Sequence, residues 1–260
     1  MPRLLHRREP FVYLEHASLA VQEGKAVATT ADGAIAIPIE ALSAVLVGPG
    51  CTLTSRWVAE ATAARTTVVF VGEAGVRFYA VGKPFGSRST IAEAQATNWA
   101  TRPDAVRSAL FATRWGQRPA SNATAVVLGE EGQRCRHLYR ALAHKYQVVW
   151  HRRTRTSFSG QDPINDALSW AGMAASAASA AAVHAVGAIP ALGFVHAGSA
   201  SAFVYDVADL IRNDLAEVAF CQVGMGKASS QDIRRACRDK IRSDQLIDKL
   251  IADIQEVLGC

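Results

Sequence analysis

From residue 167 to residue 205 the chain carries no Asp, Glu, Lys or Arg, a run long enough to cross a bilayer as one helix. Its composition points elsewhere. Residues 174–182 read AASAASAAA, and Pro190 falls late in the run. The run is mostly Ala, Gly and Ser and lacks the Leu, Ile and Phe density that drives membrane insertion. Small side chains let helix axes approach closely, so the expected structure is a tightly packed helix inside a protein domain. The rival reading, a membrane protein using residues 167–195, would put the chain in a detergent fraction.

The texture of the chain changes once. Between residues 11 and 80, short runs (FVYLEH, SLAVQ, KAVATT, AIAIP, SAVLVG) are separated by turn residues such as Glu23-Gly24 and Asp32-Gly33, the signature of strands. A helical stretch over residues 55–64, with Trp57, Val58 and Ala61 on one side, precedes two more strands, TTVVFVG and GVRFYA. Residues 83–90, with Pro84 and Gly86, read as a linker. Beyond it the periods are helical to the end of the chain. Asp162 followed by Pro163 predicts a helix start, because the carboxylate caps free amides and proline tolerates the first helical position. Residues 154–160 then form a loop. The expected fold class is α+β, with a small β-rich N-terminal domain over 1–82, a linker over 83–90 and a larger all-α domain over 91–260.

Bulk properties narrow the field. Half the 260 residues are apolar and a fifth are charged, which excludes general disorder. The net charge of +5 suits a polyanionic partner, although its distribution says more than its sum. Cys51, Cys135, Cys221, Cys237 and Cys260 are scattered and never form a C-x-x-C pair; this argues against a zinc site or a disulfide framework and fits a reducing cytosol. MPRLLHRREP has basic residues without an apolar segment after them, so no secretory signal is read and the expected location is cytoplasmic. Walker glycine loops, G-x-S-x-G elbows and H-E-x-x-H helices are all missing, which leaves nucleotide hydrolysis, serine hydrolysis and zinc proteolysis without support.

Three acidic positions and one histidine can carry chemistry. In FVYDVADLIR, Asp206 and Asp209 stand at i and i+3 on one face of a helix apolar enough to be largely buried. Two like charges there need an offset, and either Arg212 as an ion pair or a divalent cation supplies one. His196 lies in GFVHAG, where Gly193 and Gly198 let the backbone bring an imidazole to a ligand; a hydrogen-bonded core histidine is the alternative. Glu131 is read near the start of a helix, where a carboxylate also favours the positive end of the helix dipole. The segment after Glu131 is a field of positive charge: residues 132–161 contain Arg134, Arg136, Arg140, Lys145, Arg152, Arg153 and Arg155 and no acid. Aromatic and histidine residues are interleaved, as on surfaces that follow phosphates. A second stripe, Arg234, Arg238 and Arg242, is either a DNA-contacting face or a solvated one paired with Asp232, Asp239 and Asp244. A carboxylate and imidazole set suits Mg²⁺ or Mn²⁺ better than structural zinc, and with arginines it suits phosphoryl transfer.

Four ordered stretches, VGEAGVRFYAVGKPFGSRS, GEEGQRCRHLY, PALGFVHAGSASAFVYDVADLIR and RRACRDKIR, resemble the CRISPR-associated spacer-acquisition integrases, specifically the type I-E branch. The resemblance implies a metal-dependent DNA integrase with nuclease activity that inserts spacers into CRISPR arrays by 3′-hydroxyl attack on a repeat phosphodiester. It implies Glu131, His196 and Asp209 as ligands of Mg²⁺ or Mn²⁺, with Asp206 as an accessory acid. It also implies double-stranded DNA (prespacer and CRISPR repeat) as partner and a homodimer, with two dimers bridged by a small ferredoxin-like protein. Candidate DNA contacts are Arg77, Arg88, Arg134, Arg212, Arg234 and Arg238. Ser199 departs from the basic residue that relatives can carry there, and the chain ends at Cys260 without the longer tail of some relatives. The rival function is a non-catalytic DNA-binding scaffold of the same adaptation complex, in which the acids merely pair with arginines.

Overall fold

A computed structural model describes residues 9–71, 78–82, 90–121, 123–153 and 162–259. Eight strands lie before residue 83: β1 (Glu9–Leu14), β2 (Ser18–Gln22), β3 (Lys25–Thr30), β4 (Gly33–Ala36), β5 (Leu42–Val47), β6 (Thr52–Leu53), β7 (Thr67–Val71) and β8 (Phe78–Gly82). Among the described residues one α-helix lies between these strands: α1 (Ser55–Ala63) starts where the Thr54 hydroxyl accepts from the Trp57 amide and buries Trp57 and Ala61, the side chains that mark its apolar stripe in the sequence. Seven helices follow: α2 (Thr90–Thr101), α3 (Pro103–Trp115), α4 (Thr124–Lys145), α5 (Pro163–Val186), α6 (Ala202–Gly224), α7 (Ser230–Ser243) and α8 (Leu246–Leu258). The fold class is α+β, with strands first and helices after.

The strands form two four-stranded sheets. One has the order β1-β5-β7-β8, in which β1, β5 and β7 run parallel and β8 antiparallel; the other has the order β4-β3-β2-β6. The two-residue β6, parallel to β2, is too short to leave a periodic signal. Of the segment read as GVRFYA, the described strand begins at Phe78 and runs on to Gly82. The 83–90 linker, except Thr90, and the 154–160 loop lie outside the described residues.

Strand side chains alternate between faces, and here both faces are covered. Val45, Val47 and Val68 point into a core shared with Leu19, Trp57 and the second sheet. Ala44, Leu46, Val69 and Val71 point the other way, into the core of the helices. The sheet is therefore the floor on which α5 and α7 rest. Helix α5 takes up the charge-free run as far as Val186, and the rest passes through the loop after α5 into the first turn of α6; the alanines from Ala167 to Ala182 are almost wholly buried, and α5 packs most extensively on α6, then on α8 and α7. No helix among the described residues is long and apolar enough to cross a membrane. Asp162 caps α5 as expected, its carboxylate accepting from the Asn165 amide at 3.2 Å, with Pro163 in the first turn.

Candidate functional site

Separate stretches of chain converge on one cavity of about 970 Å³. Helix α4 contributes Glu131, Cys135, Arg136, Tyr139 and Arg140; the loop after α5 contributes His196; helix α6 contributes Asp209 and Arg212. The segment after α4 adds Trp150, His151, Arg152 and Arg153, and α3 adds Arg114.

The loop carrying His196 is held by buried polar side chains on three helices. Gln95 of α2, fully buried, donates to the carbonyls of Ile189 and Leu192 at 3.0 and 2.8 Å and accepts from the Ile189 amide at 2.7 Å. Arg107 of α3 donates to the Phe194 carbonyl at 3.0 Å. Asp206 of α6 accepts from three successive backbone amides, those of Phe194, Val195 and His196, at 2.5, 3.2 and 2.8 Å. Its Oδ1 also lies 2.9 Å from His196 Nδ1. With an exposure of 2%, Asp206 acts on the loop and the imidazole; it is not itself presented to the cavity. The hydrogen bond to Asp206 is the main reason the His196 pKa is raised, with burial opposing and the Asp209 charge adding. The ring stacks edge-on against Tyr205, centroids 5.7 Å apart, and keeps 38% of its side chain exposed where it lines the cavity.

The glycines of GFVHAG have distinct roles. A Cβ on Gly193 would sit 2.4 Å from the His196 carbonyl oxygen and 2.7 Å from the Ala202 Cβ, so the loop folds back on Gly193 itself. Gly198 has a φ of +75°, a left-handed conformation natural to glycine.

Asp209, one turn beyond Asp206, faces charge. Its Oδ1 is 2.5 Å from Arg212 Nη1 and its Oδ2 3.4 Å from Arg114 Nη1. The same Arg114 nitrogen is 3.4 Å from Glu131 Oε1. Burial is the main cause of a raised Glu131 pKa, opposed by Arg114 and reinforced by Asp209. Glu131 is not near a helix start. Helix α4 begins at Thr124 with no side-chain cap at Ala123, so Glu131 lies two turns inside, where the terminal dipole has faded. The missing cap removed the signal that would have located the start.

The structure groups some of the predicted basic residues and scatters others. Arg136, Arg140, Arg152 and Arg153 line the cavity with Arg212. Arg153 is turned inward to Asn165 and Ser169. Arg134 leaves the group: its guanidinium lies over the Phe111 and Trp115 rings, 5.2 and 5.8 Å from their centroids. Lys145 pairs with Glu217 at 2.6 Å. Arg234 sits 4.4 Å over the Tyr13 ring, joining α7 to β1, and Arg238 lies against Asp239; neither lines the cavity. Arg77, Arg88 and Arg155 lie outside the described residues. Sequence reasoning missed Arg114, Gln95 and Arg107. Arg114 belongs to no charge pattern, and its partner Asn213 is 99 residues away.

Among the described residues no three His, Cys, Asp or Glu side chains stand close enough together to form a metal site as they lie. In kind the donors fit a hard divalent cation: two carboxylates within reach of one point, an imidazole oriented from behind by a carboxylate, and a buried Asp209 Oδ1 that receives no well-formed hydrogen bond. Arg114 occupies the position between the two carboxylates that such a cation would neutralise.

The fold and site define a class: an α+β protein whose helical part holds a carboxylate and imidazole site in an arginine-lined cavity. The family model for CRISPR associated protein Cas1 matches residues 104–256. A CRISPR-associated endonuclease Cas1 of Rhodospirillum rubrum is 33% identical, the match covering 99% of this chain and 87% of that protein. The CRISPR-associated endonuclease Cas1 of Escherichia coli K12 is 34% identical, with 99% and 87% covered. A crystal structure of a TtCas1–DNA complex superposes with a TM-score of 0.85 at 28% identity, covering 96% of this chain and 92% of that one. The chain belongs to the Cas1 family, the one its motifs resemble.

Proposed function

We propose that this chain is a divalent-metal-dependent DNA integrase with nuclease activity, acting in the cytoplasm at the adaptation stage of CRISPR defence. One observation carries the reading: Glu131, His196 and Asp209, from three separate segments, meet in one cavity walled by Arg136, Arg140 and Arg152. Relatives bearing the name endonuclease, and one seen in complex with DNA, support it.

In this reading Glu131, His196 and Asp209 would hold Mg²⁺ or Mn²⁺. Bound there, the ion supplies Lewis-acid polarisation of a phosphate oxygen. The protein supplies the rest. Asp206, accepting a hydrogen bond from Nδ1–H, leaves Nε2 as the lone-pair nitrogen of the neutral imidazole. Arg136, Arg140 and Arg152 hold phosphates by charge-assisted hydrogen bonds and place the scissile one beside the acids. A 3′-hydroxyl of the prespacer loses its proton and attacks a repeat phosphorus; the new P–O bond forms as the bond to the repeat strand's 3′-oxygen breaks, and that oxygen leaves as a hydroxyl after taking up a proton, so no ATP is needed. Water in place of that hydroxyl gives hydrolysis. Residues 91–260 would form the catalytic domain after a β-rich domain over 1–82 and a linker over 83–90. The assembly follows the family expectation: a homodimer, two of which are bridged by a small ferredoxin-like partner on duplex DNA.

A second reading has its own observation, since both oxygens of Asp209 already face arginines. In that case the acids are structural and the protein is a DNA-binding scaffold. The two separate in a strand-joining assay with labelled duplex, repeat-bearing plasmid, the small partner and Mg²⁺, Mn²⁺ or chelator. The integrase reading expects metal-dependent transfer of label, lost by at least about a hundredfold in Asp209→Ala while duplex affinity is kept. Retention of duplex with no covalent transfer in any metal would favour the scaffold.

A further inference from the structure

Arg114 is a tightly confined charge at the site, its side chain only 3% exposed. Its Nε and Nη2 lie 3.4 and 3.1 Å from Asn213 Oδ1, and Nη2 lies 3.3 Å from Cys135 Sγ. Its Cζ stands 4.9 Å from the Trp115 ring centroid. These contacts use up one edge of the guanidinium. The remaining nitrogen, Nη1, is shared between Glu131 Oε1 and Asp209 Oδ2 at 3.4 Å each, longer than the roughly 2.7–2.9 Å of a close charge-assisted bond. Arg114 is thus anchored elsewhere and presents to the two acids a fixed positive charge.

Two carboxylates confined together out of water repel, and an unpaired buried charge is costly. Arg114 offsets that cost in the protein without a metal. A divalent cation between the same acids would offset it too, with Arg114 as a like-charged neighbour that cannot withdraw. Arg212 differs: of the two acids it pairs with Asp209, is 26% exposed and lines the cavity, so it has room to turn away. We infer that Arg114 is a resident counter-charge of the Glu131 and Asp209 pair, which holds the site together without metal and weakens its affinity for a divalent cation. The inference rests on the reading of Glu131, His196 and Asp209 as a metal site. It makes Arg114 a positioning residue, setting how far metal occupancy follows the metal supply.

The test is Mn²⁺ binding to the full-length protein, followed by electron paramagnetic resonance of the free ion, together with thermal unfolding with and without Mn²⁺. Arg114→Met is expected to melt lower than wild type without metal and to bind Mn²⁺ on the order of tenfold more tightly. Mn²⁺ should therefore raise its melting temperature by a larger increment than it does for wild type. Arg114→Gln removes the same charge with less change of polarity and is expected to behave alike, carrying the test if the Met variant does not fold. An arginine that only shaped the pocket would give the opposite sign, since a loosened site binds metal more weakly. Asp209-dependent Mn²⁺ binding in wild type that is not tightened in either neutral variant overturns the inference and leaves the metal site standing. Wild-type Mn²⁺ binding that Asp209→Ala does not weaken overturns the metal reading, and the inference with it.

Discussion

Asp206 and Asp209 share a helix, are separated by one turn, and are stabilised in different ways. Asp206 meets three backbone amides and an imidazole; Asp209 meets two arginines. Their spacing was legible in the sequence and so was the need for an offset, but only Arg212, three residues on, could be named as a partner. Amides of a loop ten to twelve residues back and an arginine of another helix leave no trace in local spacing. A third acid shows the effect of burial that is only partly offset. Asp253 Oδ2 is buried with no hydrogen-bond partner, and burial raises its pKa above the ordinary 3.8, with Lys249 opposing and Glu256 adding. A carboxyl whose pKa is higher folded than unfolded penalises the fold as pH rises through that interval, and fully above it. Asp253→Asn should therefore stabilise the protein at pH 7, on the order of 1 kcal/mol, with the gain shrinking as the pH falls towards 4. Urea unfolding at the two pH values checks this; an equal gain at both would show that charge burial is not the cause.

At the scale of elements, the site depends on a loop and two helices being held in register. The run from Ile189 to His196 has little regular structure, yet Gln95, Arg107 and Asp206 take up its backbone groups, which makes it part of the rigid frame. Gly193 is where this frame is tightest. Adding a methyl there puts carbon 2.4 Å from the His196 carbonyl oxygen, so either the loop or the start of α6 must shift. Gly193→Ala is expected to cost about 1–3 kcal/mol of stability and to displace His196, seen as a lower urea midpoint together with loss of strand joining. Wild-type behaviour in both would mean that the loop tolerates movement. The glycine was visible in GFVHAG as a device for close approach, although what it approaches is the loop's own carbonyl. The first half of the charge-free run was legible as a packed helix because Ala and Ser fill its every face; that the run leaves the helix after Val186 and enters α6 at Ala202 was not. The start of α4 was not, because no capping side chain marks it.

At the scale of the whole molecule, the N-terminal sheet serves two cores, and this was the least legible feature. The short alternating runs identified most of the strands, but their separation by turns gave no hint that β1, β5 and β7 pair in parallel or that one face of their sheet lies under α5. Parallel pairing joins residues far apart in sequence, and only the fully folded chain settles it. The same holds for the site, whose proposed ligands come from α4, from the loop after α5 and from α6, and meet only when those elements pack. The central claim, one divalent ion held by Glu131, His196 and Asp209, is tested most directly by electron spin echo modulation of the Mn²⁺-loaded protein. The account predicts nitrogen modulation from a directly bound imidazole in wild type and its loss in His196→Ala; wild-type protein that binds Mn²⁺ without nitrogen modulation, or modulation that survives the substitution, would contradict it.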